Sequence, residues 1–314
     1  MTLVAADIAE QPDLLEHLLT AQRAALSRVA DLVATHRSVR LAGIGSSRHV
    51  AAYGAACLEV YAGVPTSVLA SPGQGVPQPR LGPDDLLLLV SQSGQTPALL
   101  HLAAAARSSG TTVVSLTNTP GSPLEELADL ALPASAGPEH VVPATKSVTT
   151  SMLLLRALAG PVDPGASAQL SVALRGLSDA SLPVLFRPLP SVVVSGGFAG
   201  QAVADEVALK LAEMVAHVAA AESVVDFLHG PAAVPGPALA FLDEADPNAG
   251  AVATRPGVLT VGPGRDVPLA SCGDASLDAI ARVIAGQCLA LQWALALGID
   301  PDDARGLQKV TLTA

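Results

Sequence analysis

Two stretches of the chain read alike at an offset of 153 residues: SVRLAGIGSSRHVAAYGAACLEVYAG from Ser38 and SVVVSGGFAGQAVADEVALKLAEMVA from Ser191. Each is a short β-branched run, a glycine-rich turn and an alanine-rich helix, which is how an α/β unit opens. A chain that repeats this opening is constrained to build two such modules. Further apolar runs, DLLLLVS (85–91), TTVVSLTN (111–118) and LADLALPA (127–134), alternate with helical stretches in the first half, and ALAFLDE and GVLTVG play that part in the second. Near-continuous hydrophobic strands separated by helices predict parallel sheets covered on both faces. The Pro/Gly/Ser-rich piece LAGPVDPGASAQL divides the chain into residues 1–165, an N-terminal helix plus the first domain, and 166–314, the second domain with its tail. The long apolar helix SLDAIARVIAGQCLALQWALALG precedes that tail, IDPDDARGLQKVTLTA, which is expected to fold back.

Composition narrows the function classes. With 314 residues, half of them apolar, the chain can bury a sizeable core or two. The formal net charge of -11 and the lack of any Lys/Arg cluster argue against a nucleic-acid partner. Apolar runs are interrupted by polar, Pro or Gly residues before they reach bilayer length, and the N-terminus is acidic, so the expected location is cytoplasmic and no membrane partner is expected. Cys57, Cys272 and Cys288 lie in apolar segments without metal-ligand spacing and read as small buried thiols. Fourteen Arg stand against three Lys, namely Lys146, Lys210 and Lys309. Only lysine can lose its proton on desolvation or form a Schiff base, so these three are candidates for chemistry.

The run LLLLVSQSGQTPALL carries the clearest binding signal. Beyond the carboxyl end of a parallel strand the next helix points unpaired N–H groups at a ligand, and Ser91, Gln92, Ser93, Gly94, Gln95 and Thr96 occupy that place. Three hydroxyls and an amide make a cup for a phosphate held by dipoles and hydrogen bonds rather than by cations. Capping a helix needs one serine, not three. GIGSSR lacks the third glycine of the dinucleotide pattern and no Gly-Lys-Ser/Thr loop exists, so the phosphate belongs to a small metabolite.

In order along the chain, GSSRHVA, SQSGQTPAL, TNTPGSPLEELADLAL, AGPEHVVPATKS, EVALKLAEM, FLHGP and GLQKVTLT resemble the motifs of the double-SIS (sugar isomerase) proteins. That family includes the isomerase half of glucosamine-fructose-6-phosphate aminotransferase and the SIS-type glucosamine-6-phosphate deaminases. The resemblance runs from about residue 38 to the C-terminus. It implies two flavodoxin-like SIS domains in tandem, a homodimer, and one sugar-phosphate site per chain; no His/Cys/Asp cluster with ligand spacing appears in the sequence, so no metal or cofactor is expected. By the same resemblance Ser47, Ser91, Gln92, Ser93 and Thr96 bind the phosphate, and Glu139, Val142 and Ala144 line the sugar. Glu213 is implied as the base that moves a proton between C1 and C2, His229 as the ring-opening group, and Lys309 as the contact to the carbonyl end. Lys210 stands one helical turn before Glu213, so both can face one site. The plain structural alternatives are a surface i,i+3 pair for Lys210 and Glu213, a loop histidine for His229, and a helix-start cation for Lys146.

The chain departs from the family pattern at several places. MTLVAAD carries no cysteine at position 2, and no room for a glutaminase domain precedes the first module, so ammonia from glutamine is not expected. Ala144 stands where the aminotransferase has a serine, as SIS-type deaminases tend to show. MVAHVAAAESVVDFL replaces the family's HAEAF-like run, and LDEADPN offers carboxylates where the first module has hydroxyls. The expected function is conversion of an amino-hexose 6-phosphate, glucosamine 6-phosphate to fructose 6-phosphate plus ammonia. The alternatives are a ketose/aldose isomerase or deglycase without amine release, and a non-catalytic sugar-phosphate sensor.

Overall fold

The computed structural model describes residues 2–69, 80–179, 188–303 and 305–309. Two helices come first, α1 (Leu3–Ala21) and α2 (Arg23–Thr35). The first α/β stretch follows as β1 (Ser38–Ala42), α3 (Ser46–Cys57), β2 (Thr66–Val68), β3 (Asp85–Ser91), α4 (Pro97–Ser108), β4 (Thr112–Thr117), α5 (Pro123–Leu127) and β5 (Leu130–Pro133). Then come α6 (Lys146–Leu158) and α7 (Pro164–Asp179). The second α/β stretch is β6 (Val192–Ser195), α8 (Gly200–Val215), β7 (Ala220–Ser223), α9 (Val224–His229), β8 (Ala238–Phe241), α10 (Ala249–Ala253), β9 (Val258–Gly262), β10 (Val267–Pro268) and α11 (Ala275–Ala296).

Among the described residues the strands form two five-stranded sheets, ordered β2-β1-β3-β4-β5 and β10-β9-β8-β6-β7. Every pairing is parallel. Counted within its own half, each sheet has the strand order 2-1-3-4-5, which is the flavodoxin-like doubly wound order. The repeat seen in the sequence is therefore a repeat of topology, with β1 and β6 as its matching first strands.

Two compact units emerge. One, here the first unit, holds His17–Glu139, Lys146–Val162 and Gly306–Ala314, and the second holds Met1–Glu16, His140–Thr145 and Asp163–Arg305. In the first unit β3 is buried along its whole length, as DLLLLVS requires of a central strand covered on both faces. Leu87 and Leu89 pack with Leu99, Leu102 and Ala103 of α4, with Val113 of β4 and with Leu124 of α5. Each such leucine stabilises the unit by about 1.5–3 kcal/mol. At the entry of β3, Asp85 accepts Ser38 Oγ at 2.5 Å and the Gly82 N–H at 3.0 Å, which pins that strand beside β1. In the second unit α11 is long and apolar enough to cross a membrane by length and composition, yet 78% of its apolar window is buried inside the protein, where it packs on α7 and α8. Asp274 starts this helix, accepting the N–H groups of Ser276 and Leu277.

The C-terminal segment is tied to both ends of the second unit's helical layer. The Asp302 carboxylate accepts the N–H groups of Leu3 and Val4 at 2.6 and 2.9 Å, capping α1. Arg305 donates to the carbonyl oxygens of Glu213 and Met214 at 2.6 and 3.1 Å, capping the last turn of α8. These groups are the orphans that every helix end leaves unpaired.

Candidate active site

The hydroxyl cup lies where the chain order of the first sheet reverses. β1 and β3 are neighbours whose following helices depart to opposite sides, and ligands of open α/β sheets bind in the crevice beyond such strands. Ser47 stands in the first turn of α3, after β1, while Ser91 ends β3 and Thr96 precedes α4. Ser91 Oγ accepts the Gly94 N–H at 3.1 Å and lies 3.4 Å from Thr96 Oγ1. Ser93 Oγ accepts the Gln95 N–H at 3.2 Å. Gly94 has φ +62°, and a Cβ there would stand 2.1 Å from Ser122 Oγ, so only glycine fits this turn. The Gln92 carbonyl accepts the Asn118 N–H and Thr119 Oγ1, which ties the loop to the end of β4. Thr96 makes no side-chain cap for α4; its carbonyl instead accepts the Leu99 and Leu100 N–H groups at 3.0 and 3.1 Å, and Pro97 has no N–H, so the hydroxyls are the donors this turn offers.

A second cluster in the same unit surrounds Glu139. Its carboxylate is buried and accepts Ser147 Oγ at 2.7 Å, the Ser147 N–H at 3.4 Å, and Lys309 Nζ at 3.0 Å. Lys309 keeps 19% of its side chain exposed, while the Glu139 side chain has none. A carboxylate bound by an ammonium and two further donors is fixed in direction.

The second unit presents a face of α8. Glu206, Lys210 and Glu213 recur at i, i+4 and i+7, one stripe of a helix. Lys210 has no exposed surface. Its Nζ donates to Glu213 Oε2 in a short contact and to the Ala144 carbonyl at 3.0 Å, and it lies 3.4 Å from Glu206 Oε1. Glu206 is 1% exposed and Glu213 15% exposed. Of the two carboxylates beside this ammonium, Glu213 is the one that solvent or a ligand can reach. Such a group can take up a proton while Lys210 balances the charge.

Each expected site residue thus has a place. Lys210 and Glu213 pair as the spacing predicts, but inside the protein rather than on its surface. Glu206 was not among the expected residues, although its helical spacing from Lys210 was available as a signal. Lys146, read as a helix-start cation, is 2% exposed at the first turn of α6 because that helix is covered on nearly all faces. Ala144 contributes a backbone carbonyl, and Val142 is half-buried two residues before it. His229 ends α9 and is exposed.

Residues 32–160 match the SIS domain family model. It is 31% identical over 96% of its length to glutamine–fructose-6-phosphate aminotransferase (isomerizing) of Pyrobaculum aerophilum, covering 56% of that protein. The chain spans about half the length of the curated relatives it matches. A solved structure of a candidate phosphosugar isomerase from Silicibacter pomeroyi is 29% identical, with a TM-score of 0.83 over 96% of this chain and all of the other. Glucosamine-6-phosphate deaminase from Thermotoga maritima has the same fold, with a TM-score of 0.78 at 23% identity over 99% of this chain and 100% of the other. The homology supports an enzyme.

Proposed function

We propose that the chain is a SIS-type phosphosugar isomerase that releases ammonia, converting glucosamine 6-phosphate and water to fructose 6-phosphate and ammonia. The observation that carries this reading is Glu213, a partly exposed carboxylate paired with the fully buried Lys210. The Ser91–Thr96 cup supports a phosphorylated substrate, and the names of the relatives support a hexose.

In this reading His229 opens the pyranose to the C1 aldehyde. Glu213 removes the C2 proton, and the electron pair moves into the C1–C2 bond as the carbonyl oxygen takes negative charge. Lys210 and Lys309 offset that charge. Returning the proton to C1, with an amine proton passing to O1, leaves a C1 hydroxyl and an imine at C2, and water cleaves the imine to the ketone with loss of ammonia. A carboxylate serves as both base and acid when its surroundings hold its pKa near the working pH. The phosphate is assigned to Ser47, Ser91, Gln92, Ser93 and Thr96, and the sugar to Glu139, Val142 and Ala144. The reading includes a second SIS domain over residues 166–314, a first within 1–165, and a cytoplasmic homodimer.

One incubation tests it. Glucosamine 6-phosphate in heavy water should give ammonia and fructose 6-phosphate in equal amounts, with deuterium at C1. Ketose without ammonia from a panel of aldose 6-phosphates would place the chain among simple isomerases. Tight binding with neither product nor deuterium uptake would make it a sensor.

A further inference from the structure

The sheet register aligns the two halves residue by residue. Ala42, the last residue of β1, pairs with Leu89 of β3, and Ser195, the last of β6, pairs with Phe241 of β8. Two residues beyond these partners stand Ser91 and Asp243, so Asp243 is the counterpart of Ser91 at the second switch point. Both side chains fold back on their own loops. Ser91 Oγ accepts the Gly94 N–H, and Asp243 Oδ1 accepts the Ala245 N–H at 3.0 Å.

There the likeness ends. Asp243 Oδ2 is 3.1 Å from Nη2 of Arg282, whose side chain on α11 is 6% exposed. Arg282 Nη1 donates to the Gly196 carbonyl at 2.6 Å, in the loop that leads from β6 to α8. Gly197 has φ +71°, and a Cβ on it would stand 2.6 Å from Arg282 Nη1 and 3.1 Å from Asp243 Oδ2. The loop backbone is therefore folded directly onto the ion pair. A small cavity remains beside the pair, lined by Asp243, Arg282, Gly262, Ser271 and Asp278. The nearby Asp278 is occupied by Ser271 Oγ and the Cys272 N–H.

We infer that this second crevice is an anion site occupied from within: the Asp243 carboxylate stands where an external oxyanion would sit, and Arg282 is its fixed counter-ion. In the natural chain Arg282 is already engaged by Asp243 and the Gly196 carbonyl, and the same pair holds the loop that launches α8. Shortening Asp243 opens a slot for a small oxyanion such as formate or inorganic phosphate. The inference does not depend on which sugar the first crevice takes.

The test uses the full chain with Asp243→Ala and Asp243→Ser, the latter recreating the Ser91 hydroxyl, and follows melting temperature in chloride, formate and inorganic phosphate. Both variants should melt below the wild type in chloride. Formate at ten times its dissociation constant should then raise their melting temperatures by about 3–6 °C more than the wild type's. Adding Arg282→Met to Asp243→Ser should abolish that extra shift. Should Asp243→Ala fail to fold in chloride, recovery of folded protein on refolding in formate counts for the inference. Equal responses of wild type and Asp243→Ser to both anions, or no recovery of either variant in any anion, would overturn it.

Discussion

Lys309 Nζ donates to Glu139 Oε2 at 3.0 Å across 170 residues of sequence, and Glu139 has no exposed side-chain surface. Removing either partner strands the other's charge. Lys309→Met should lower stability by about 2–4 kcal/mol, the range for breaking a largely buried pair, read from the urea midpoint. The double variant Lys309→Met/Glu139→Gln should recover part of that loss. An exposed, inconsequential pair would give less than about 1 kcal/mol for the single change.

Glu213→Gln should bind the sugar phosphate nearly as well as the wild type, because the amide keeps the shape. Turnover should fall by roughly two to four orders of magnitude. Glu206→Gln should leave binding intact and lower kcat by about tenfold, since Lys210 then loses one of its two carboxylate neighbours. A Glu213→Gln enzyme with near-normal kcat would remove Glu213 from the proton transfer.

The cup gives a binding prediction independent of catalysis. Fructose 6-phosphate should raise the melting temperature far more than fructose does. Ser93→Ala should weaken that binding by about 1–3 kcal/mol, the cost of leaving a charged oxygen short of a donor. Equal shifts with the two sugars would move the phosphate away from Ser91–Thr96.

The fold and the cup were legible to different depths. β3 follows from 85–91 residue for residue, because a central parallel strand must be apolar on both faces and DLLLLVS is. Thr66–Val68, Ala220–Ser223 and Val267–Pro268 left no such signature. They are edge strands of two to four residues with ordinary composition, and only pairing with a neighbour makes them strands. Glu206 hid for another reason: motif reading treats residues singly, whereas its meaning comes from sharing a helix face with Lys210. Asp243 announced repulsion to a phosphate, but its partner Arg282 lies in a distant helix that no local pattern connects to it.

Asp85 gives an acid-stability prediction. Its pKa is lowered chiefly by the Ser38 hydroxyl, with help from the Gly82 N–H and from Arg40 and Arg37, against the opposing effect of burial. A carboxyl whose folded pKa is depressed contributes stability above its unfolded pKa of about 4, and that contribution is lost as pH falls through the folded value. Ser38→Ala should therefore cost about 1 kcal/mol at pH 7, and the gap to the wild type should close below about pH 4 in denaturant titrations. A gap independent of pH would mean that Ser38 acts by packing alone.

The two caps made by Asp302 and Arg305 also bear on the order in which the chain can mature. The first N–H groups of α1 and their acceptor Asp302 are 299 residues apart, and the carbonyl of Glu213 is 92 residues before Arg305. A ribosome produces both helices long before the segment that completes their ends. These two caps of the second unit therefore close late. Until that segment emerges, the last turn of α8, which carries Glu213, lacks the guanidinium that holds its carbonyls, so this turn should be completed only near the end of translation.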